Sequence, residues 1–194
     1  PAAPFTKEGG ECPFSAEVEP AFLSAAYYIW YHRMMEKIAV TLGRNEDAAR
    51  YAERRETLMQ AFRTKYGGER GQTQTSVMLT IGARTDVEKA AEELAADVAA
   101  HGFHTTCGNQ GYRHLFEWLG ACGQAETAVR LLKNPEYPGW GYMLASGATT
   151  VWERWESGMK NLMHSYDHPM FGSYDSFLYR YVAGLRVADG ARGA

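Results

Sequence analysis

A single carboxylate lies between two indoles in residues 147–155, which read GATTVWERW. Glu153 follows Trp152 directly, and Arg154 separates it from Trp155. In sugar-processing sites, flat aromatic faces stack on the C–H side of a pyranose, and a carboxylate orients or deprotonates a water molecule. The segment therefore predicts a carbohydrate site. The alternative is a buried aromatic cluster in which Glu153 and Arg154 pair at the edge.

Two further side chains could complete such a site. Trp140 lies in the turn formed by residues 138–141 (PGWG), where glycines let the backbone approach a ligand closely, so its indole is either a stacking platform or part of the core. His168 could donate a hydrogen bond to a sugar hydroxyl. His164 lies four residues before it, but the segment has no helical pattern and no third ligand. We therefore predict no zinc site and no other cofactor.

Helices dominate the segments that must position these residues. Apolar residues recur at helical spacing, and glycine or proline marks the ends of the periodic stretches. The pattern predicts an all-α protein with helices over about residues 18–42, 46–65, 73–81, 85–100, 110–121, 124–133 and 173–185. Residues 103–108 are expected to be extended, and residues 134–168 to form a long irregular region of the kind that often carries function.

Size and charge exclude several classes of protein. A chain of 194 residues usually forms a single domain, here with residues 1–16 as an irregular lead and 189–194 as a frayed tail. A net charge of −3 gives no footprint for nucleic acid or an anionic membrane. No apolar run approaches the roughly 18 residues that a membrane span requires. We therefore expect neither nucleic acid nor a membrane as a partner.

Four blocks in order resemble the catalytic domain of bacterial α-L-rhamnosidases, glycoside hydrolase family 78. In this sequence they are residues 106–113 (TCGNQGYR), 137–143 (YPGWGYM), 147–155, and 168–173 (HPMFGS) leading into 177–180 (FLYR). The family folds as an (α/α)6 barrel of twelve helices in two rings. The resemblance implies that this chain supplies about half of those helices, as the C-terminal portion of the catalytic domain.

The resemblance also implies a chemistry, the hydrolysis of terminal α-L-rhamnosides with inversion. Glu153 matches the family's general base, and the residues expected to bind a rhamnose-containing glycoside are His168, Trp140, Trp152 and Trp155. An inverting glycosidase also needs a general acid. In the family the acid lies in an earlier motif rich in Asp, Arg and Glu, and nothing in this sequence matches that motif.

Other carboxylates are poor substitutes for that acid, because they are more simply explained as surface, loop or helix-cap residues: Glu117, Glu156, Asp167 and Asp175. We therefore expect this chain alone to be inactive or nearly so. We also expect it either to self-associate or to pack with the missing N-terminal half of the barrel, because half a barrel would expose apolar helix flanks.

Two other classes of function remain open. One is another enzyme on the same barrel, such as a sugar epimerase or an unsaturated-uronide hydrolase. An epimerase would be expected to carry paired histidine bases, and the chain shows no such pair at a helical interval. The other is a non-catalytic helical domain that binds a glycan or a partner protein, which the missing acid motif keeps open.

Overall fold

The computed structural model describes residues 20–66, 87–107, 109–155 and 165–185. The predictions for residues 1–16, 73–81 and 189–194, and for Glu156 and His164, lie outside these ranges. The described α-helices are α1 (Pro20–Thr41), α2 (Asn45–Tyr66), α3 (Val87–Ala100), α4 (Asn109–Ala121), α5 (Ala125–Lys133), α6 (Trp140–Ala145) and α7 (Tyr174–Phe177). A 3-10 helix over Pro169–Ser173 precedes α7, and a π-helical turn over Leu178–Val182 follows it. The described residues form no β-strand, which confirms the all-α prediction.

Helices α1 and α2 form an antiparallel hairpin. Pro20 occupies the first turn of α1, where its missing N–H costs nothing, and Gly43 ends the helix with a φ of 70°. Phe22 packs against Phe62 and Tyr66, with ring centroids 5.2 and 5.0 Å apart. No helix in the described part of the chain is both long and apolar enough to cross a membrane.

Helix α1 has a second contact and an open face. Toward α4, the Tyr27 hydroxyl lies 3.3 Å from Nε2 of His114, and the Trp30 ring lies 4.7 Å from the same imidazole. The open face carries large apolar side chains spaced alternately by three and four residues, with exposures from 39% to 66%. They are Tyr28, Tyr31, Met35, Ile38 and Leu42. This period is typical of a seam between two helices. We call this set the α1 stripe.

The other helices surround an aromatic core. Tyr112 and Phe116 of α4 contact Trp140 of α6, with centroid distances of 4.5 and 5.3 Å. Phe171 of the 3-10 helix lies 5.2 Å from Tyr112, and Phe177 of α7 lies 5.5 Å from Phe116. Pairs of this kind each contribute about 0.5–1.5 kcal/mol beyond their buried area. The core therefore holds the C-terminal segments on α4.

Helix α6 lies within the region that we predicted to be irregular. Trp140 and Met143 are both buried and three residues apart, the spacing of one helical face, but the neighbouring glycines and proline hide this short period in the sequence. Gly141 is needed because a Cβ atom there would lie 2.4 Å from the backbone oxygen of Asn134. The close approach fixes α6 against the end of α5.

The helix predicted over residues 173–185 is divided into α7 and the π-helical turn. The wider turn places the Tyr181 ring over Gly120, where a Cβ atom would lie 2.4 Å from the ring. The Tyr181 hydroxyl and Nη1 of Arg180 both donate to Oε1 of Glu117, each at 2.9 Å. The Glu117 carboxylate therefore links the π-helical turn to α4.

Residues 103–108 were predicted to be extended, but the segment begins with a residue in a left-handed conformation. Phe103 has a φ of 60°, in the left-handed region, and the Arg130 guanidinium lies 3.6 Å from its ring centroid. Residues 104–107 are irregular, with Thr105 and Cys107 buried. The chain turns sharply after α3 before it crosses toward α4.

Candidate active site

The segment that carries Glu153 is bonded along its backbone to the segment that carries His168. The Glu153 N–H donates to the Ser165 carbonyl at 3.0 Å, and the His168 N–H donates to the Val151 carbonyl at 2.7 Å. Gly147, with a φ of 86°, ends α6 and turns the chain into the first of these segments. The pairing places the segment that carries Glu153 next to the segment that carries His168.

The Glu153 carboxylate is anchored at one oxygen. The Ser165 N–H donates to Oε2 at 2.8 Å, a charge-assisted hydrogen bond to an ionised carboxylate. The side chain is partly exposed, and among the described residues Oε1 has no hydrogen-bond partner. One oxygen of Glu153 is thus held in a fixed direction by the backbone of the neighbouring segment.

The His168 imidazole is oriented by the helix that follows it. Its Nδ1 accepts a hydrogen bond from the Met170 N–H at 3.3 Å and so caps the 3-10 helix, which Pro169 begins. A nitrogen that accepts a hydrogen bond carries no proton, so the neutral ring has its proton on Nε2. His168 therefore presents Nε2 as a donor.

All three candidate tryptophans are buried, with exposures of 5% for Trp152, 3% for Trp155 and 6% for Trp140. Trp155 stacks on Phe171 with centroids 4.0 Å apart, and Nε1 of Trp140 donates to the Phe171 carbonyl at 3.2 Å. Trp152 meets the ring of Tyr166 edge-on at 5.7 Å. The sequence left open whether Trp152 or Trp155 faces a cleft, and whether Trp140 is a platform. The burial of these rings favours the core alternative for each.

Two buried polar atoms beneath this segment lack a partner among the described residues. They are the hydroxyl of Tyr112 and Nε1 of Trp155, whose rings meet edge-on at 5.3 Å. Burial raises the pKa of Tyr112 well above its usual value, and the neighbouring Cys107 and Tyr174 raise it further. Tyr112 lies in the motif block of residues 106–113, but the sequence predicts no role for it.

Ser165 is also not identifiable from the sequence. No motif marks this serine, and its contact with Glu153 uses the backbone, which no residue type reveals. Within the described ranges, no group of three or more His, Cys, Asp or Glu side chains could hold a metal ion. A hollow of about 440 Å³ beside Phe103 and Arg130 of α5 shares no residue with the Glu153 and His168 segments.

Comparisons with known proteins agree with the fold and with the motif blocks. The model of the bacterial alpha-L-rhamnosidase 6 hairpin glycosidase domain matches residues 5–182. An α-L-rhamnosidase from Streptomyces avermitilis is 31% identical over 193 residues, which cover 92% of this chain and 18% of that protein.

Solved structures give the same result. Native α-L-rhamnosidase from Aspergillus terreus matches with a TM-score of 0.82 and 25% identity over 90% of this chain and 22% of that one. The Streptomyces avermitilis enzyme in complex with L-rhamnose matches with a TM-score of 0.81 and 30% identity over 89% of this chain and 18% of that one. The chain spans about a fifth of the length of the relatives it matches. These matches confirm the predicted (α/α)6 fold, and the chain belongs to the bacterial α-L-rhamnosidase family as part of its six-hairpin glycosidase domain.

Proposed function

We propose that this chain is part of the catalytic domain of an inverting α-L-rhamnosidase in which Glu153 is the general base. The observation that carries the proposal is the geometry of the Glu153 carboxylate, which has Oε2 bound to the Ser165 N–H at 2.8 Å. A general base must point its basic oxygen at the water that it deprotonates. Anchoring Oε2 leaves Oε1 for that water.

The reaction then follows from inversion. Oε1 of Glu153 takes a proton from water as the water oxygen bonds to the anomeric carbon, on the face opposite the leaving group. The glycosidic C–O bond breaks, and a separate carboxylic acid protonates the departing oxygen. In inverting enzymes the two carboxyl groups lie about 6.5–9.5 Å apart, which leaves room for the water.

His168 would contribute to sugar binding. With Nδ1 occupied by the Met170 N–H, the imidazole can donate from Nε2 to a sugar hydroxyl. Trp140, Trp152 and Trp155 would not touch the sugar and would form the rigid floor on which the two polar segments lie, because their rings are buried. The substrate class that we propose is a rhamnose-containing glycoside.

We further propose that helices outside these 194 residues complete the barrel and supply the general acid. Two observations support this: the chain spans about a fifth of its relatives' length, and the α1 stripe is exposed. A helix with an apolar seam of this period is stable in water when a second helix covers it. The chain alone would instead cover the stripe by self-association.

The test compares Glu153→Gln with the unchanged enzyme in a polypeptide that contains the complete catalytic domain. We expect kcat for a 4-nitrophenyl α-L-rhamnoside to fall by about 10²–10⁴-fold, because general-base catalysis is lost while the fold is kept. NMR of the first product should show the inverted anomer. Glu126→Gln, a change of the same kind at an exposed carboxylate of α5, should leave kcat unchanged.

Two outcomes would overturn the proposal. One is near-normal hydrolysis by Glu153→Gln, which would remove this carboxylate from the mechanism. The other is a complete polypeptide that binds L-rhamnose without cleaving the aryl glycoside. That result would instead favour a non-catalytic glycan-binding domain.

A further inference from the structure

Ser165 contacts the candidate base and the following loop with every polar group it has. Its carbonyl accepts from the Glu153 N–H at 3.0 Å, and its own N–H donates to Oε2 of Glu153 at 2.8 Å. Its hydroxyl donates to the Asp167 carbonyl at 2.9 Å and accepts from the Asp167 N–H at 3.1 Å. One exposed serine thus joins the base to the residue that precedes His168.

The hydroxyl contact lies at an irregularity in the pairing of the two segments. Two backbone hydrogen bonds join the segments, one from Glu153 to Ser165 and one from His168 to Val151. Between these bonds, the first segment contains one residue, Trp152, and the second contains two, Tyr166 and Asp167. The two segments form no β-strand, so no regular ladder of backbone hydrogen bonds holds Asp167 in place. Here the Ser165 hydroxyl supplies partners for both backbone groups of Asp167. The turn over residues 165–167 is therefore fixed by a side chain.

We propose that Ser165 is a positioning residue that sets the direction of the Glu153 carboxylate and the course of the backbone that leads to His168. This inference rests on the proposed role of Glu153. Without the hydroxyl, the Asp167 backbone loses both of these partners and the turn over residues 165–167 can relax. Relaxation would turn the Ser165 N–H away from Oε2 and release the carboxylate from its anchored direction.

Kinetics of the complete catalytic polypeptide test this role. We expect Ser165→Ala to lower kcat by about 10- to 100-fold, because a misplacement of about 1 Å can cost 10²-fold. KM should stay within about twofold, since the base acts in the transition state and makes little ground-state contact. Ser165→Thr keeps the hydroxyl and should restore most of kcat. Ser176→Ala, at an exposed serine of α7, is the matched control and should change nothing.

A second measurement needs no activity. In the 194-residue chain, Glu153→Ala should shift the amide proton resonance of Ser165 and speed its exchange with solvent, because that N–H loses its charged acceptor. Ser165→Ala should speed exchange of the amide at the same position. The amide of Ser176 should be unaffected by either change.

The two measurements separate the two hypotheses. If the amide of Ser165 responds to Glu153→Ala but the complete polypeptide does not cleave rhamnosides, the proposed function fails and the positioning contact stands. If that amide does not respond, the positioning proposal fails whatever the activity. It fails equally if Ser165→Ala keeps full kcat, or if threonine does not rescue the loss.

Discussion

Replacing Tyr112 by Phe would remove a hydroxyl that is fully buried in the aromatic core and has no hydrogen-bond partner among the described residues. A buried polar group left without a partner costs about 1–3 kcal/mol. The ring contacts would remain, since Trp140, Trp155 and Phe171 meet the Tyr112 ring at 4.5, 5.3 and 5.2 Å. We therefore expect Tyr112→Phe to raise the free energy of unfolding by about 1 kcal/mol or more.

The same hydroxyl gives a dependence on pH. Burial, with smaller contributions from Cys107 and Tyr174, raises the pKa of Tyr112 well above the usual 10.0. Above pH 10 the unfolded chain loses this proton while the folded chain keeps it, so the folded state binds more protons. The ionisation of Tyr112 therefore leaves the free energy of unfolding unchanged below pH 10 and lowers it as the pH rises above 10. This fall in the free energy of unfolding approaches about 1.4 kcal/mol per pH unit, and Tyr112→Phe should remove it.

Urea unfolding followed by tryptophan fluorescence, at neutral pH and at pH values above 10, measures both effects. Tyr179→Phe is the matched control, because that ring is 63% exposed and its change should stay within about 0.5 kcal/mol. Tyr112→Ala removes the ring as well and should cost about 3–5 kcal/mol. If Tyr112→Phe destabilises the fold at neutral pH, or keeps the full alkaline slope, the account of this hydroxyl is refuted.

Further predictions concern the glycines and the α1 stripe. Gly141→Ala should lower the free energy of unfolding by about 1–3 kcal/mol, because the new methyl group meets the backbone oxygen of Asn134. A Cβ atom at Gly172 would have no atom within 4 Å, so Gly172→Ala should leave the free energy of unfolding unchanged in the same urea experiment. Equal losses of stability in the two variants would contradict this reasoning. Ile38→Glu should reduce self-association of the chain in sedimentation velocity. Val40 is also exposed but lies about 200° around α1 from Ile38, so Val40→Glu should leave self-association unchanged. If the unchanged chain is monomeric at high concentration, the proposed role of the α1 stripe is contradicted.

Local spacing was enough to predict the long helices but not the elements shaped by distant contacts. Helices α1, α2 and α4 begin and end within two residues of the predicted bounds, since their apolar period runs over several turns. Helix α6 is a single short element whose period is interrupted by Gly141. The break after α7 depends on Tyr181 lying over Gly120, a contact between residues far apart in sequence.

In the candidate site, too, the sequence predicts some features and not others. Glu153 and His168 could be named from motif blocks, because their residue types carry chemistry. The burial of Trp155 could not, because it depends on stacking with Phe171 from a separate segment. The anchoring of Glu153 by Ser165 could not be predicted either, because a backbone N–H is present at nearly every position in the sequence.

The hydrogen bonds between residues 151–153 and 165–168 have a consequence for how this domain can vary. They hold the two backbone segments side by side, so the spacing between these segments does not depend on how many residues connect them. Doubling the length of such a connection adds only about 0.6 kcal/mol of closure entropy. Residues inserted between the two segments would therefore leave their pairing intact.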